Sequence, residues 1–337
     1  MPGSDAPDVS VIVTSRERRE ALVATLDALA TQTAPPSAYE VLVVDDGSTD
    51  GTYEAVERLR PPYALRVFRH PEQRGVSAGR NTAIAEAKGR VLILLSDDLL
   101  VPPGFVAAHL RALASHPGAW IVGGFRQLPS LRETPFGRYL DDLEEGFTRA
   151  RQHAPVGDGL WELRWPTARN LSLPRADFLA TGPFDERFRS TCEDQDLAIR
   201  ARARGIRFLY DASIHCLHND QAGDLVRCCR AQRRGTHDTV LFCAKHPADH
   251  SGSPLERANG PLRLRDGPVT IARKSVAWLL ARDPVMGALQ SVVPLLERAR
   301  LPERALRRVY RALIGLHTFR GWRDGMATLA QQNGHAR

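Results

Sequence analysis

Asp97 and Asp98 follow directly on the aliphatic run Val91–Leu95. Two adjacent carboxylates where a buried strand ends repel each other unless a cation or hydrogen-bond donors compensate. A hard divalent ion with oxygen ligands meets that need and binds a diphosphate at the same time. A solvated turn meets it as well, so the pair alone leaves both readings open. Asp45-Asp46-Gly47-Ser48, after Val41–Val44, is of the same kind: one carboxylate there can accept from a base or a ribose, while Asp50-Gly51 starts a helix. Gly75-Val76-Ser77-Ala78-Gly79 has the spacing of a hydrolase nucleophile elbow, but an elbow needs its serine on a turn directly off a strand. His70-Pro71-Glu72-Gln73-Arg74 intervenes, so a glycine-rich helix start beside a phosphate, with Arg80 adding charge, is the better reading. Glu193-Asp194 opens a helix expected to run to about Arg204. Acids at that position commonly do no more than complement the helix dipole. His215 and His218 follow the apolar stretch Ile206–Tyr210, and taken alone they read as core groups rather than ligands. The sequence has neither the G-x-G-x-x-G fingerprint nor a Walker lysine, which argues against dinucleotide enzymes and P-loop NTPases.

The elements that must position these groups alternate through the first half. The strand-like runs Val9–Val13, Val41–Val44, Leu65–Phe68 and Val91–Leu95 precede helical patterns over about 18–31, 51–59, 76–88 and 104–115. Strands apolar on both faces predict a doubly wound, mostly parallel α/β sheet flanked by helices, with ligands at the carboxyl ends of the strands. The polar segments Thr14–Arg18, Asp45–Asp50 and Ser96–Asp98 all fall there. The 337 residues suffice for one large domain with an appendage. At 43% hydrophobic and 25% charged the composition is that of a folded chain, and no run approaches the length of a membrane-crossing helix. No secretory signal is visible in the first residues, and five cysteines without a CxxC pair read as reduced thiols. From Pro261 onward 14 Lys or Arg stand against 5 Asp or Glu, whereas the preceding chain is about neutral; the net charge of +7 therefore belongs to the tail. There Leu306, Val309, Leu313 and Leu316 share a helix face, with Arg304, Arg307, Arg308 and Arg311 mostly on the other. Such a helix docks on anionic lipid or packs on its own domain. The expected organisation is a catalytic domain over 1–244, with a nucleotide-binding half to about 125 and an acceptor half from about 126. A linker over 245–268 and a basic helical extension over 269–337 complete it.

Taken together, VSVIVTSRERREAL, YEVLVVDDGSTDGT, RGVSAGRNTAIAEAKGRVLILLSDDLLVPPGF, ARNLSLPRADFLATGPFDERF, EDQDLAIRARARGIRFLYDA and CLHND, in this order from about Val9 to Asp220, resemble the inverting nucleotide-sugar glycosyltransferases of the GT-A fold. The resemblance implies a GT-A sheet and assigns roles by position. Thr14, Ser15 and Arg16 fall in the nucleotide loop, where members usually show Pro-Thr-Tyr-Asn. Asp46, with Asp45 beside it, falls where the base is read. In Ser96-Asp97-Asp98, which many members begin with aspartate, Asp97 falls on the ribose and Asp98 on a divalent cation, Mg2+ or Mn2+, whose site His218 completes. Asp194 falls on the general base, with Glu193 beside it. Asn170, Ser172 and the turn Gly182-Pro183-Phe184-Asp185 fall on the acceptor-side framework, and Glu193 is placed on the acceptor side; Trp165, with Trp161, either stacks on a sugar or lipid there or is core.

The implied reaction moves a sugar from a nucleoside-diphosphate donor to an acceptor hydroxyl by direct displacement, with the cation and Arg80 stabilising the departing diphosphate. The basic tail suggests a membrane-associated acceptor, such as a cell-envelope or lipid-linked saccharide, a small-molecule natural product stays open, and the acceptor loops fall between Pro135 and Pro166. A cytoplasmic protein, peripheral at an anionic membrane through its C-terminal helices and without a nucleic-acid partner, is expected. The rival readings are a nucleotidyltransferase, which would want glycine in the TSRERRE loop, and a non-catalytic sugar-binding relative.

Overall fold

The structure is a computed structural model that describes residues 6–157, 159–219, 224–247, 254–263 and 266–335. The first four strand-like runs become strands β1 (Val9–Ser15), β2 (Tyr39–Asp45), β3 (Ala64–Arg69) and β4 (Val91–Ser96). Between and after them lie helices α1 (Arg19–Ala30), α2 (Thr52–Glu57), α3 (Val76–Glu86) and α4 (Phe105–Ser115). The short β5 (Leu99–Leu100) precedes α4, and β6 (Ala119–Gln127), α5 (Pro135–Arg151), β7 (Gln152–Gly157), β8 (Leu160–Leu163) and β9 (Asn170–Pro174) follow it. Helices α6 (Arg175–Thr181) and α7 (Glu193–Arg202) lead into β10 (Arg207–His218). The C-terminal helices are α8 (Leu225–Lys245), α9 (Pro254–Asn259), α10 (Pro268–Leu280), α11 (Asp283–Arg298) and α12 (Glu303–His335).

One sheet runs in the order β3-β2-β1-β4-β9-β6-β10-β8-β7, with β5 pairing β10 off this path. The pairs β1–β2, β1–β4 and β2–β3 of the nucleotide half are parallel, and so is β6–β10. The rest of the sheet is antiparallel: β9 runs antiparallel to both β4 and β6, and the β7–β8 hairpin adds antiparallel edge strands. The apolar pattern of β1 explains how the sheet is covered. Val9, Val11 and Val13 pack with Leu22, Leu26 and Leu29 of α1 and Phe105 of α4, whereas Ile12 packs with Ala83 and Ile84 of α3. Alternate residues of a strand face opposite sides, so both faces are buried.

Two compact units divide the chain. The first is residues 1–131, 141–189 and 193–221; the second is 132–140, 190–192 and 222–337. Contacts thus group α8 with the C-terminal helices, whereas the sequence placed the division at 244. The expected linker carries the helix α9, and residues 248–253 and 264–265 of it lie outside the described ones. In the second unit Phe136, Tyr139, Leu225, Cys229, Val293, Leu306, Tyr310 and Leu313 form a core. A Cβ added at Gly321 of α12 would lie 2.2 Å from the Arg233 carbonyl of α8, so glycine is what lets these two helices approach so closely. Leu306 and Leu313, on the face that the sequence offered to lipid, are both buried here.

Candidate active site

The parallel strands end together. Ser15 stands level with Asp45 on β2, and Thr14 level with Ser96 on β4. Glu17 takes a left-handed backbone (φ 54°), with its amide donating to Ser48 Oγ at 2.9 Å, and the chain then enters α1. This bend sets the following residue, Arg18, over the end of β4. Arg18 Nη1 donates to Asp98 Oδ2 and lies 3.7 Å from Asp97 Oδ1. Arg16, the residue the motif singled out, is exposed.

Asp97 and Asp98 do different work. Asp97 Oδ2 accepts from Ser15 Oγ at 2.6 Å, and its carbonyl accepts from Thr25 at 3.0 Å, so its side chain is fixed to the first loop. Asp98 is buried, with Oδ2 3.1 Å from His218 Nε2 and Oδ1 without a hydrogen-bond partner. The two-residue strand β5 makes this meeting happen: Leu99 pairs with His218, and the Asn219 amide donates to the Asp98 carbonyl at 2.7 Å. Burial opposes the Asp98 charge, yet His218, Arg18 and Arg169 hold its carboxyl well below the usual carboxylate range. Around His218, the Gln127 side-chain amide lies 2.9 Å from Nδ1 and Arg169 Nη2 lies 2.8 Å from Nε2. Arg169 also bonds Glu144 at 3.0 Å and stacks 4.3 Å over the Phe125 ring. Gln127, Arg18 and Arg169 were not singled out in the sequence. The only signal was their position: Arg18 closes the first loop, and Arg169 precedes Asn170 in the ARNLSL stretch.

The donor set suits a divalent cation. A buried carboxylate with one unmatched oxygen is an ordinary ligand for Mn2+ or Mg2+, and an adjacent imidazole favours Mn2+ of the two. The described residues hold no cluster of three or more His, Cys, Asp or Glu that could bind a metal. Two protein ligands leave most coordination positions to other oxygens, such as those of a diphosphate. Asp220, the last residue of the CLHND stretch, lies outside the described residues.

Asp194 lies in the first turn of α7. Its Oδ2 accepts from the Ala168 amide at 3.3 Å and its Oδ1 from the Gln195 amide at 2.8 Å. Desolvation, then the charge of Glu193, pushes its carboxyl up to about 6, against the opposing pull of Arg80, the Ala168 amide and Arg151. Ala168 and Arg169 are consecutive, so a single peptide unit connects the Asp194 corner to the Asp98–His218 corner. Glu193 Oε1 accepts from Arg80 Nη1 at 2.6 Å, and its Oε2 is buried without a partner. Arg80, placed with the nucleotide sugar on sequence grounds, is 7% exposed and spent on Glu193, the Ala168 carbonyl (3.2 Å) and the Phe184 ring.

The surroundings of three further positions bear on their expected use. Asp46 is saturated: Oδ1 meets His70 Nδ1 and the Arg74 amide at 2.8 Å each, and Oδ2 accepts from the Gly75 amide at 2.8 Å. Asp45 instead keeps a buried oxygen, Oδ1, without a partner, while its Oδ2 accepts from the Ser48 amide. Asn170, expected on the acceptor side, is fully buried; it donates to the Gly124 carbonyl at 3.2 Å and meets His109 Nε2 at 2.9 Å. His109 in turn meets Ser172 Oγ at 2.8 Å, and burial pulls its imidazole down to about 4. Asn170 and Ser172 thus form an internal polar ladder with a neutral histidine. Trp165 packs partly against the core, its ring beneath the guanidinium of Arg202 at 5.1 Å.

Ser77 is no nucleophile: it is buried in the first turn of α3 and donates to the Phe188 carbonyl at 2.5 Å. Gly75 before it has φ 100°, and a Cβ there would lie 2.7 Å from the Arg189 backbone. Positive φ and close approach account for that glycine without invoking chemistry.

Comparison with known proteins finds chains of similar sequence and fold. Residues 10–157 match the family described as glycosyl transferase family 2. The validoxylamine A glucosyltransferase of Streptomyces hygroscopicus subsp. limoneus is 34% identical over 234 residues, covering 61% of this chain and 51% of the relative. The chain thus spans about half the length of that relative and of its counterpart from subsp. jinggangensis. YfnE of Bacillus subtilis (strain 168), described as an uncharacterised glycosyltransferase, is 28% identical, covering 75% of this chain and 74% of its own. Among solved structures, the mannosyltransferase PcManGT from Pyrobaculum calidifontis, in complex with GDP-Man and Mn2+, matches with a TM-score of 0.56 at 22% identity. The match covers 94% of this chain and 88% of that one, a likeness of fold.

Proposed function

We propose that the chain, whose residues 10–157 match the family described as glycosyl transferase family 2, is a transferase that moves a sugar from a nucleoside-diphosphate donor to an acceptor hydroxyl with inversion. The observation that carries this reading is the pairing of two unlike carboxylates through one short loop. Asp98 is held ionised among cations, and Asp194 has its proton affinity raised to about 6. Environments that push two acids apart in this way mark different roles.

Asp194 is the general base. An attacking hydroxyl must lose its proton as the new bond forms, and a carboxylate with a pKa near neutrality is suited to take it. No second carboxylate is required as a nucleophile, so one displacement inverts the anomeric carbon. Asp98 and His218 hold the divalent cation, which when bound offsets charge on the departing diphosphate. Mn2+ in the PcManGT complex supports this choice of cofactor. Arg18, 24% exposed at its side chain and already directed at this corner, supplies further positive charge to the leaving group. Ser15 orients Asp97 toward the ribose. Asp45, with its unmatched oxygen, rather than the saturated Asp46, reads the base, beside Thr14 and Arg16.

The acceptor is a saccharide or lipid-linked saccharide entering past the segment from Pro135 to Pro166, with Trp165 and Glu193 at that side. The name of the validoxylamine A glucosyltransferase favours a second reading, a small-molecule acceptor. A panel of nucleotide sugars, each with and without Mn2+, tests the donor half by thermal shift. The expected result is stabilisation by one nucleotide series, lost with chelator. NMR of the transfer product then reads the anomeric configuration: inversion is expected, and retention overturns the single-displacement reading.

A further inference from the structure

Helix α10 is built inside out. Val269, Val276, Trp278 and Leu279 are all more than half exposed, whereas its one lysine, Lys274, is only 4% exposed. Lys274 Nζ is bonded to Asp266 Oδ2 at 2.8 Å and to the Pro261 carbonyl at 3.0 Å. A helix bordering water carries the opposite pattern. Apolar groups facing out and a charge facing in are both unfavourable in water, and an apolar surrounding relieves the first. Helix α11 repeats the theme: between Asp283 and Glu297 it has no charged residue, and Leu289, Val292 and Leu295 are exposed. An apolar groove of about 670 Å³ runs beside α10, lined in part by Leu262, Trp278, Leu279, Trp322 and Met326. Contiguous surface of this kind marks an interaction site.

Charge identifies what covers it. Arg273 and Arg282 are exposed among the apolar residues, and the Arg282 guanidinium lies 5.5 Å over the Trp278 ring. The chain from Pro261 onward is strongly basic. Tryptophan and arginine beside aliphatic side chains match the boundary between acyl chains and anionic headgroups. No helix among the described residues is long and apolar enough to cross a membrane, so the contact is one of lying on the surface. We infer that α10 and α11 form a docking surface for an anionic phospholipid bilayer. Within the C-terminal helices, this assignment puts the lipid contact on α10 and α11 rather than on the 306–319 face. It rests on the C-terminal unit alone and is independent of the transferase reading.

Flotation of the full chain tests it, using vesicles of phosphatidylcholine alone or of equal parts phosphatidylcholine and phosphatidylglycerol. Binding is expected on the anionic vesicles and is weakened by salt. Val276→Glu with Leu279→Glu, and separately Arg273→Ser with Arg282→Ser, should each lower the bound fraction about tenfold, with unchanged circular dichroism. The arginine pair keeps the test sound should the glutamate pair fail to fold. Absence of binding to anionic vesicles, or equal binding by the folded variants, overturns the proposal. So does a dimer in sedimentation equilibrium that the glutamate pair dissociates, since that gives the surface to a second copy.

Discussion

The Arg18 guanidinium rests on the Asp98 carboxylate, Nη1 against Oδ2, with Asp97 Oδ1 3.7 Å from the same nitrogen. A cation of the chain itself therefore occupies one oxygen of the carboxylate assigned to a divalent ion. Two cations cannot share that oxygen without mutual repulsion, so a divalent ion on Asp98 would have to compete with Arg18. Arg18→Gln should tighten Mn2+ binding without nucleotide by about tenfold and weaken nucleoside-diphosphate binding with Mn2+ by a similar factor. Mn2+ electron paramagnetic resonance titrations read both. Unchanged Mn2+ affinity would show that Arg18 does not compete for Asp98.

Proton transfer through Asp194 fixes the sign of the pH response. The base must be unprotonated, so kcat/KM should fall as pH drops through about 6, the value set by desolvation and by Glu193. Glu193→Gln removes the neighbouring negative charge while leaving Arg80 in place. The acid limb of the profile should then move to lower pH. A limb that stays put, or moves up, would remove Asp194 from that role.

Asp45 and Asp46 are adjacent in sequence and should respond oppositely to substitution. Asp46 fastens two backbone amides and His70, so Asp46→Ala should cost about 3 kcal/mol of stability, since buried donors lose their acceptor. Asp45→Asn should change stability by less than about 1 kcal/mol and reduce nucleotide affinity instead. Urea melts and nucleotide titrations of the two variants separate the roles.

Asn170 offers a test of the ladder inside the sheet. Asn170→Ala strips partners from His109 and from the Gly124 carbonyl, which should destabilise the fold by about 2–3 kcal/mol. KM for the acceptor should be unchanged in the folded fraction, because both polar atoms of the Asn170 side chain are engaged inside the fold. A selective rise in acceptor KM would return Asn170 to the acceptor site.

The parts of this architecture that were legible in the sequence are those governed by local pattern. The valines and leucines of β1, β2 and β4 announced buried strands, and the polar residues after them fell at the strand ends. What stayed hidden depends on where chains meet or side chains turn. Nothing in Leu99–Leu100 announces a two-residue strand, yet its pairing with β10 is what carries His218 to Asp98. The first loop held three arginines, Arg16, Arg18 and Arg19, and only the left-handed Glu17 backbone decides that Arg18 turns inward. The choice between Asp45 and Asp46 rested on the amides of Arg74 and Gly75, supplied by a later loop. In the C-terminal unit helical periodicity found the apolar stripe of α12 but could not say that Tyr310 and Leu313 are core. Nor could it say that the apolar α10 is turned outward.

Asp194→Asn, assayed for both transfer and donor binding, bears most directly on the central claim. Above about pH 6 the substitution should not destabilise the fold through charge: a carboxyl whose folded-state pKa is raised adds stability only below that range and loses the contribution as pH rises through it. The variant is expected to keep its melting temperature and its metal-dependent affinity for the nucleotide sugar at about pH 8 while transfer falls by about a thousandfold or more. Transfer within a few-fold of the parent, with binding intact, would contradict the account.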